Sequence, residues 1–158
     1  MRKIGFAFTL GFLSFIMFSF TKTSSTGQYL QTKIEWLTWE EAQSKMEKEP
    51  RKIVIDVYTE WCGWCKKMDR DTYANPIIAN YINNNYHAVK MDGEGSEPIT
   101  YKDYTFKLQQ QGRTKYHELT AALMNGKLSY PTTVILNKEE KLLDMVHMNT
   151  IDLKDKFE

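Results

Sequence analysis

Only two cysteines occur in the 158 residues, and two residues separate them, as Cys62 and Cys65 within "DVYTEWCGWCKKM" (Asp56 to Met68). A closed structural zinc site takes four ligands, and no further cysteine is present to complete one. His87, His117 and His147 stand apart in different predicted elements. The residue after Cys65 is Lys66, not histidine, so the c-type haem attachment pattern is missed. A bridge over so short a gap removes little entropy from the unfolded chain, which argues against a purely structural disulfide. An excess of either charge is lacking too: 21 Lys and Arg face 20 Asp and Glu, and Arg2, Lys3 and Lys22 sit near the N-terminus. The basic face that phosphate neutralisation requires is absent, so nucleic acid is not an expected partner. No internal repeat is evident, and a chain of this length is expected to form one domain.

The first residues, "MRKIGFAFTLGFLSFIMFSFTKTSS", combine a short positive start, an apolar run from Ile4 to Phe20 and a polar tail. This is the pattern of an export signal over residues 1–25. No small-x-small cleavage site of the Ala-x-Ala kind is present, so an uncleaved single-pass anchor is the alternative. No cysteine lies near the end of the run to carry a lipid. The expected location is therefore the periplasm or cell envelope, where disulfides persist but a dithiol stays reduced only with a dedicated electron supply. Residues 26–33 read as a polar linker, and the domain is expected over residues 34–158.

Within it, "LTWEEAQSKMEKEP" places Thr38 three residues before Glu41, a capping-box pattern, and predicts a helix ending before Pro50. "RKIVIDVY" is a nearly unbroken apolar, β-branched run, the pattern of a central strand, interrupted only by Asp56. "CKKMDRDTY" reads as helical, and "NPIIANYINNNY" as a helix with Asn75 as cap and Pro76 at its first position. "HAVKMD" reads as a second strand, which makes a βαβ unit of a parallel sheet. Residues 93–113 are irregular, with a hairpin expected about Lys102 and Asp103. "TKYHELTAALMNGK" spaces Tyr116, Leu119 and Leu123 as a helix that Gly126 ends. "PTTVILN" and "KLLDMVHM" read as an antiparallel pair, followed by a short polar C-terminal segment.

A helix starting at the cysteines would put Cys62 at its N-terminus, where partial positive charge and free N–H groups favour a thiolate. Cys62 would then attack, and Cys65, one turn on, would resolve the mixed disulfide. Lys66 and Lys67 would add supporting positive charge. Metal binding, a structural bridge and a degenerate site stay open at this point.

The stretch "DVYTEWCGWC" resembles the active-site segment of thioredoxins, and "SYPTTVIL" resembles that family's second signature, a cis-proline followed by a core strand. The longer run "WCGWCKKMDRDTYANPIIANYINNNY" is similar to exported thioredoxin-related proteins and the C-terminal domain of the thiol:disulfide interchange protein DsbD. The resemblance implies an α/β chain with a thioredoxin fold, a central mixed β-sheet of about four to five strands flanked by helices. It implies a cis bond before Pro131, with Tyr130 offering its backbone to an extended substrate. Asp56 matches the family's buried aspartate, whose raised pKa would let it exchange protons with Cys65. Lys90 matches a lysine near that aspartate, although a lysine on an edge strand is the alternative. Trp61, Gly63, Trp64, Tyr130 and Pro131 would line the substrate groove.

Trp64 departs from the family by replacing the proline before the second cysteine, and the dipeptide between the cysteines is a major determinant of reduction potential. Residues 93–113 are longer than the matching thioredoxin connection, which suggests a partner-facing insertion, and the C-terminus is short for the family's last helix. The resulting expectation is a thiol:disulfide oxidoreductase acting on protein disulfides or dithiols and coupled to a membrane-linked thiol donor or acceptor. No cofactor or metal is expected beyond the Cys62–Cys65 pair itself, and the protein is expected to be a monomer. The rival reading is a thiol-independent binding module or chaperone using the groove beside Pro131 and the insertion from Gly93 to Arg113.

Overall fold

A computed structural model describes residues 33–139 and 142–147. The expected export segment, nearly all of the linker and the C-terminal polar segment lie outside the described residues. Strand β1 (Trp36–Leu37) leads into helix α1 (Trp39–Lys48). The α1 cap is the box expected from sequence: Thr38 Oγ1 accepts from the Glu41 N–H, and the Glu41 carboxylate accepts from the Thr38 N–H. Strand β2 (Lys52–Tyr58) is followed by helix α2 (Gly63–Met68), a π-helical turn (Asp69–Tyr73) and helix α3 (Pro76–Asn85). Asn75 caps α3 by accepting from the Ile77 N–H, with Pro76 at the first helical position, where its missing N–H costs nothing. Strand β3 (Tyr86–Asp92) completes the βαβ unit, running parallel to β2 with Asp56 opposite Lys90.

Two hairpins then occupy residues 99–117, starting within the expected 93–113 segment and running past its end. Strands β4 (Ile99–Tyr101) and β5 (Tyr104–Phe106) turn at Lys102, as expected. Strands β6 (Leu108–Gln111) and β7 (Thr114–His117) form a second hairpin about Gly112, whose φ of +62° suits glycine. This corrects the reading of Tyr116 as helical. It lies in β7, and helix α4 (Glu118–Leu123) starts only after His117, whose Nδ1 caps it by accepting from the Leu119 N–H. The spacing of Tyr116 to Leu119 fits a helix, but the chain before Glu118 pairs with β6 instead. Glu118 fastens the hairpins to the body, since its carboxylate accepts from the Lys107 N–H and from Gln109 Nε2, both at 2.8 Å. Gly126, at φ +75°, ends the α4 turn by donating to the Ala121 carbonyl.

Strand β8 (Thr132–Leu136) pairs antiparallel with β2, and β9 (Leu142–His147) pairs antiparallel with β8. The result is a five-stranded mixed sheet in the order β1-β3-β2-β8-β9. Alternation along β2 divides the core. Ile53, Ile55 and Val57 pack with Trp39, Ala42, Met46, Leu119 and Met124 from α1, α4 and the turn after α4. Val54 packs with Met68, Tyr73, Ala79 and Ile82 from α2, the π-helical turn and α3. Asp56 belongs by the same alternation to the α2 face. β3 lies between β1 and β2, so Lys90 is on an interior strand and the edge-strand alternative does not apply.

Candidate active site

The site begins where β2 runs out. After Tyr58 the chain makes a tight turn in which the Cys62 N–H donates to the Thr59 carbonyl at 3.1 Å. Cys62 takes an extended backbone and is the N-cap of α2, with its Sγ accepting the Cys65 N–H at 3.0 Å. A capping sulfur thus does what a Ser or Asp oxygen does elsewhere, occupying one of the free N–H groups of a helix start. Cys62 and Cys65 are joined as a disulfide. Both are buried, at 5% and 3% exposure, so it is the cap position, not exposure, that separates them. Lys66 and Lys67 follow on the helix, and Lys67 pairs with Asp71 on the surface.

The flanking tryptophans behave differently from the cysteines. Trp61 and Trp64 are 66% and 62% exposed, an unusual state for rings of this size. Nothing lies within 4 Å of where a Gly63 side chain would be. The Tyr130–Pro131 bond is cis. Tyr130 meets Trp61 edge-on, with ring centroids 5.9 Å apart and planes at 83°, so the Pro131 segment and the cysteine loop are brought together through these two rings. Trp61, Cys62, Gly63, Trp64, Cys65, Tyr130 and Pro131 therefore form one locality.

Behind it lies a charged cluster within the α2 face of the sheet. Asp56 is 1% exposed, and burial pushes its carboxyl up from 3.8 to about 6, with the nearby Lys90 ammonium opposing that rise. Lys90 Nζ lies 3.2 Å from Asp56 Oδ2 and also bonds Asp69 in the π-helical turn. Burial works against the charge of Lys90, but the two carboxylates outweigh it and its pKa is raised. The ammonium also sits over the rings of Trp36 and Tyr58, 5.1 and 5.2 Å from their centroids. Tyr73 packs alongside, its hydroxyl 3.1 Å from Thr133 Oγ1. Burial and then the Asp56 charge push the Tyr73 phenol well above its ordinary value. Asp56 Oδ1 and Thr59 Oγ1 are buried with no hydrogen-bond partner among the described residues.

Asp69 was not singled out from the sequence. The available signal was its position four residues after Cys65, on the same helical face. Two of the histidines prove to be backbone ties: His87 Nε2 lies 2.8 Å from the Glu49 carbonyl, and His117 Nε2 lies 3.2 Å from that of Glu97. Among the described residues no group of three or more His, Cys, Asp or Glu is placed to hold a metal ion.

Comparison with known proteins bears on the family and the fold. The chain is 31% identical over 80 residues to spermatogenesis-associated protein 20 of Rattus norvegicus, a match covering 50% of this chain and 10% of that protein. The chain thus spans about a tenth of the length of that relative. It is 31% identical over 39 residues to the thiol:disulfide interchange protein DsbD of Pectobacterium atrosepticum, covering 25% of this chain and 7% of that one. The solution structure of a putative disulphide-isomerase from Bacteroides thetaiotaomicron superposes with a TM-score of 0.54 at 21% identity, covering 80% of this chain and 88% of that one. The fold is that of the thioredoxins, as the sequence resemblance implied. A family model described as "Protein of unknown function, DUF255" matches residues 19–149, and the chain belongs to that family, Thioredox_DsbH.

Proposed function

We propose that the protein is an exported thiol:disulfide oxidoreductase that uses Cys62 and Cys65 as a two-electron couple. The observation that carries this reading is the position of Cys62 as the α2 cap, with its sulfur accepting the Cys65 N–H. In the reduced protein the same N–H and the positive end of the helix favour the Cys62 thiolate over the thiol. That thiolate attacks one sulfur of a substrate disulfide, forming a mixed disulfide and expelling the other substrate sulfur as a thiolate. Cys65, as thiolate, then attacks Cys62 Sγ, expels the second substrate thiolate and leaves the Cys62–Cys65 disulfide. Two electrons pass from the protein to the substrate, and a membrane-linked thiol donor restores the dithiol. Run backward, the same steps oxidise a substrate dithiol.

Asp56 is the proposed proton carrier for Cys65. A carboxyl held near 6 can accept and return a proton near neutral pH, which an ordinary carboxylate does poorly. Burial raises its proton affinity, Lys90 lowers it, and Asp69 adds a smaller rise. The exposed rings of Trp61 and Trp64, with Tyr130 and the cis-Pro131 segment, form the proposed substrate surface. Export rests on residues 1–25, and N-terminal sequencing of protein recovered from the cell envelope tests it: a start beyond residue 1 marks cleavage, and recovery only from the cytoplasm contradicts export. The name thiol:disulfide interchange protein, carried by one relative, accords with the proposed chemistry.

Trapping tests the assignment of roles. A Cys65→Ser variant is expected to accumulate mixed disulfides with protein substrates, because the resolving step is lost, while Cys62→Ser forms none. Equal trapping by both variants contradicts it. Partner capture that survives replacement of both cysteines favours the thiol-independent binding module instead.

A further inference from the structure

Gly93 follows directly after β3, at the foot of the two hairpins. Its N–H donates to the Tyr58 carbonyl at 2.7 Å, where β2 runs out toward the cysteines. Its own carbonyl accepts from the His117 N–H at 2.7 Å, where the hairpins return to the body. Gly93 does not adopt the left-handed backbone that demands glycine, so its lack of a side chain has another cause. A Cβ there would stand 2.5 Å from the Tyr130 hydroxyl oxygen and 2.6 Å from Cζ, and would also collide with Cε1. Such separations are far inside van der Waals contact, and the ring, not the backbone, is what would have to move. The Tyr130 ring meets Trp61 edge-on. Trp61 precedes Cys62, and Tyr130 precedes Pro131. An unbroken chain of contacts therefore runs from the foot of the hairpins through Tyr130 and Trp61 to the disulfide.

We propose that Gly93 is a positioning residue for substrate selection. The space it leaves seats Tyr130 against Trp61, and the aromatic corner so formed takes an aromatic side chain flanking the reacting cysteine of a polypeptide. This rests on the oxidoreductase reading and adds to it the class of substrate. The corner lies beside the reactive disulfide, one of its walls is a ring two-thirds exposed, and aromatic rings recognise one another edge-on or offset. A small disulfide with no flanking residues makes no use of it.

The test supplies dithiothreitol as the two-electron donor and, with its direct reaction subtracted, compares three mixed or symmetrical disulfides: a glutathionylated decapeptide with phenylalanine beside its cysteine, the same peptide with glycine there, and hydroxyethyl disulfide. The wild-type protein is expected to favour the phenylalanine peptide over the glycine one by about fivefold in kcat/KM, through KM. Gly93→Ala is expected to reduce that preference to less than about twofold while hydroxyethyl disulfide turnover stays within about twofold. It is also expected to shift the NMR resonance of the Trp61 indole N–H. In a Tyr130→Ala background, adding Gly93→Ala is expected to change neither the preference nor the resonance, since the ring it displaces is gone. A Gly93→Ala variant that keeps the preference and the Trp61 resonance overturns the proposal. So does one that slows all three disulfides alike, or one whose effect is undiminished in the Tyr130→Ala background. A wild-type protein inert toward all three overturns the oxidoreductase reading and the substrate class with it, and the Trp61 resonance still decides whether Gly93 seats the aromatic pair.

Discussion

The Lys90 ammonium lies 3.2 Å from Asp56 Oδ2 across the β2–β3 ladder, and it is shared with a second carboxylate, that of Asp69. A cation divided between two anions supports each less than it would support one alone. Lys90→Met leaves Asp56 buried without its opposing charge, so its pKa is expected to rise above about 6. Asp69→Asn removes a like charge and releases Lys90 to Asp56, so the pKa is expected to fall. A carbon-13 NMR titration of the Asp56 carboxyl reads both. Shifts in the same direction, or none, contradict the shared-cation arrangement.

Asp56 also makes stability depend on pH in a stated direction. The folded protein holds this proton up to about 6, whereas an unperturbed carboxyl releases it near 3.8. The folded state is therefore favoured fully below the lower value, and that contribution is lost as pH rises through the upper one. The part of this lost between pH 4 and pH 7 corresponds to about 2 kcal/mol. Asp56→Asn, which cannot ionise, is expected to lack this loss and so to gain on the wild type as pH rises through that window. Urea unfolding of both proteins at the two pH values checks it, and parallel profiles contradict it.

Trp64 contributes little to packing, being 62% exposed in the first turn of α2. Trp64→Ala is expected to change unfolding free energy by no more than about 0.5 kcal/mol, as exposed substitutions usually do. Its effect belongs on the thiol chemistry and on substrate contact, so KM for a peptide disulfide is expected to rise while the urea midpoint stays fixed. A midpoint that falls sharply assigns Trp64 to the core instead.

The parts of the fold that are locally encoded were legible in the sequence. The Thr38–Glu41 box, the Asn75–Pro76 helix start and the apolar run of β2 each announce themselves within a few residues, and the structure carries all three. The cysteine pair and the cis-proline of the candidate site were legible for the same reason, since Trp61 to Cys65 is contiguous and Pro131 enters a clear strand. What escaped depends on contacts between distant segments. The β6–β7 hairpin is short and polar, so no period marks it, and Tyr116 fits a helical spacing while pairing with Gln109. Asp69 acquires its partner only because the π-helical turn faces a lysine 21 residues on. Gly93 comes up against Tyr130 only in the folded chain, across the two hairpins.

The central claim is that Cys62 and Cys65 exchange electrons, as opposed to stapling a loop. Equilibrating the protein in glutathione and dithiothreitol redox buffers, alkylating the free thiols and weighing the products by mass spectrometry tests it directly. The account predicts that both cysteines become reduced together, as one two-electron couple, with a midpoint between about −270 and −120 mV. A midpoint below about −300 mV, where structural disulfides resist the glutathione pool, contradicts it.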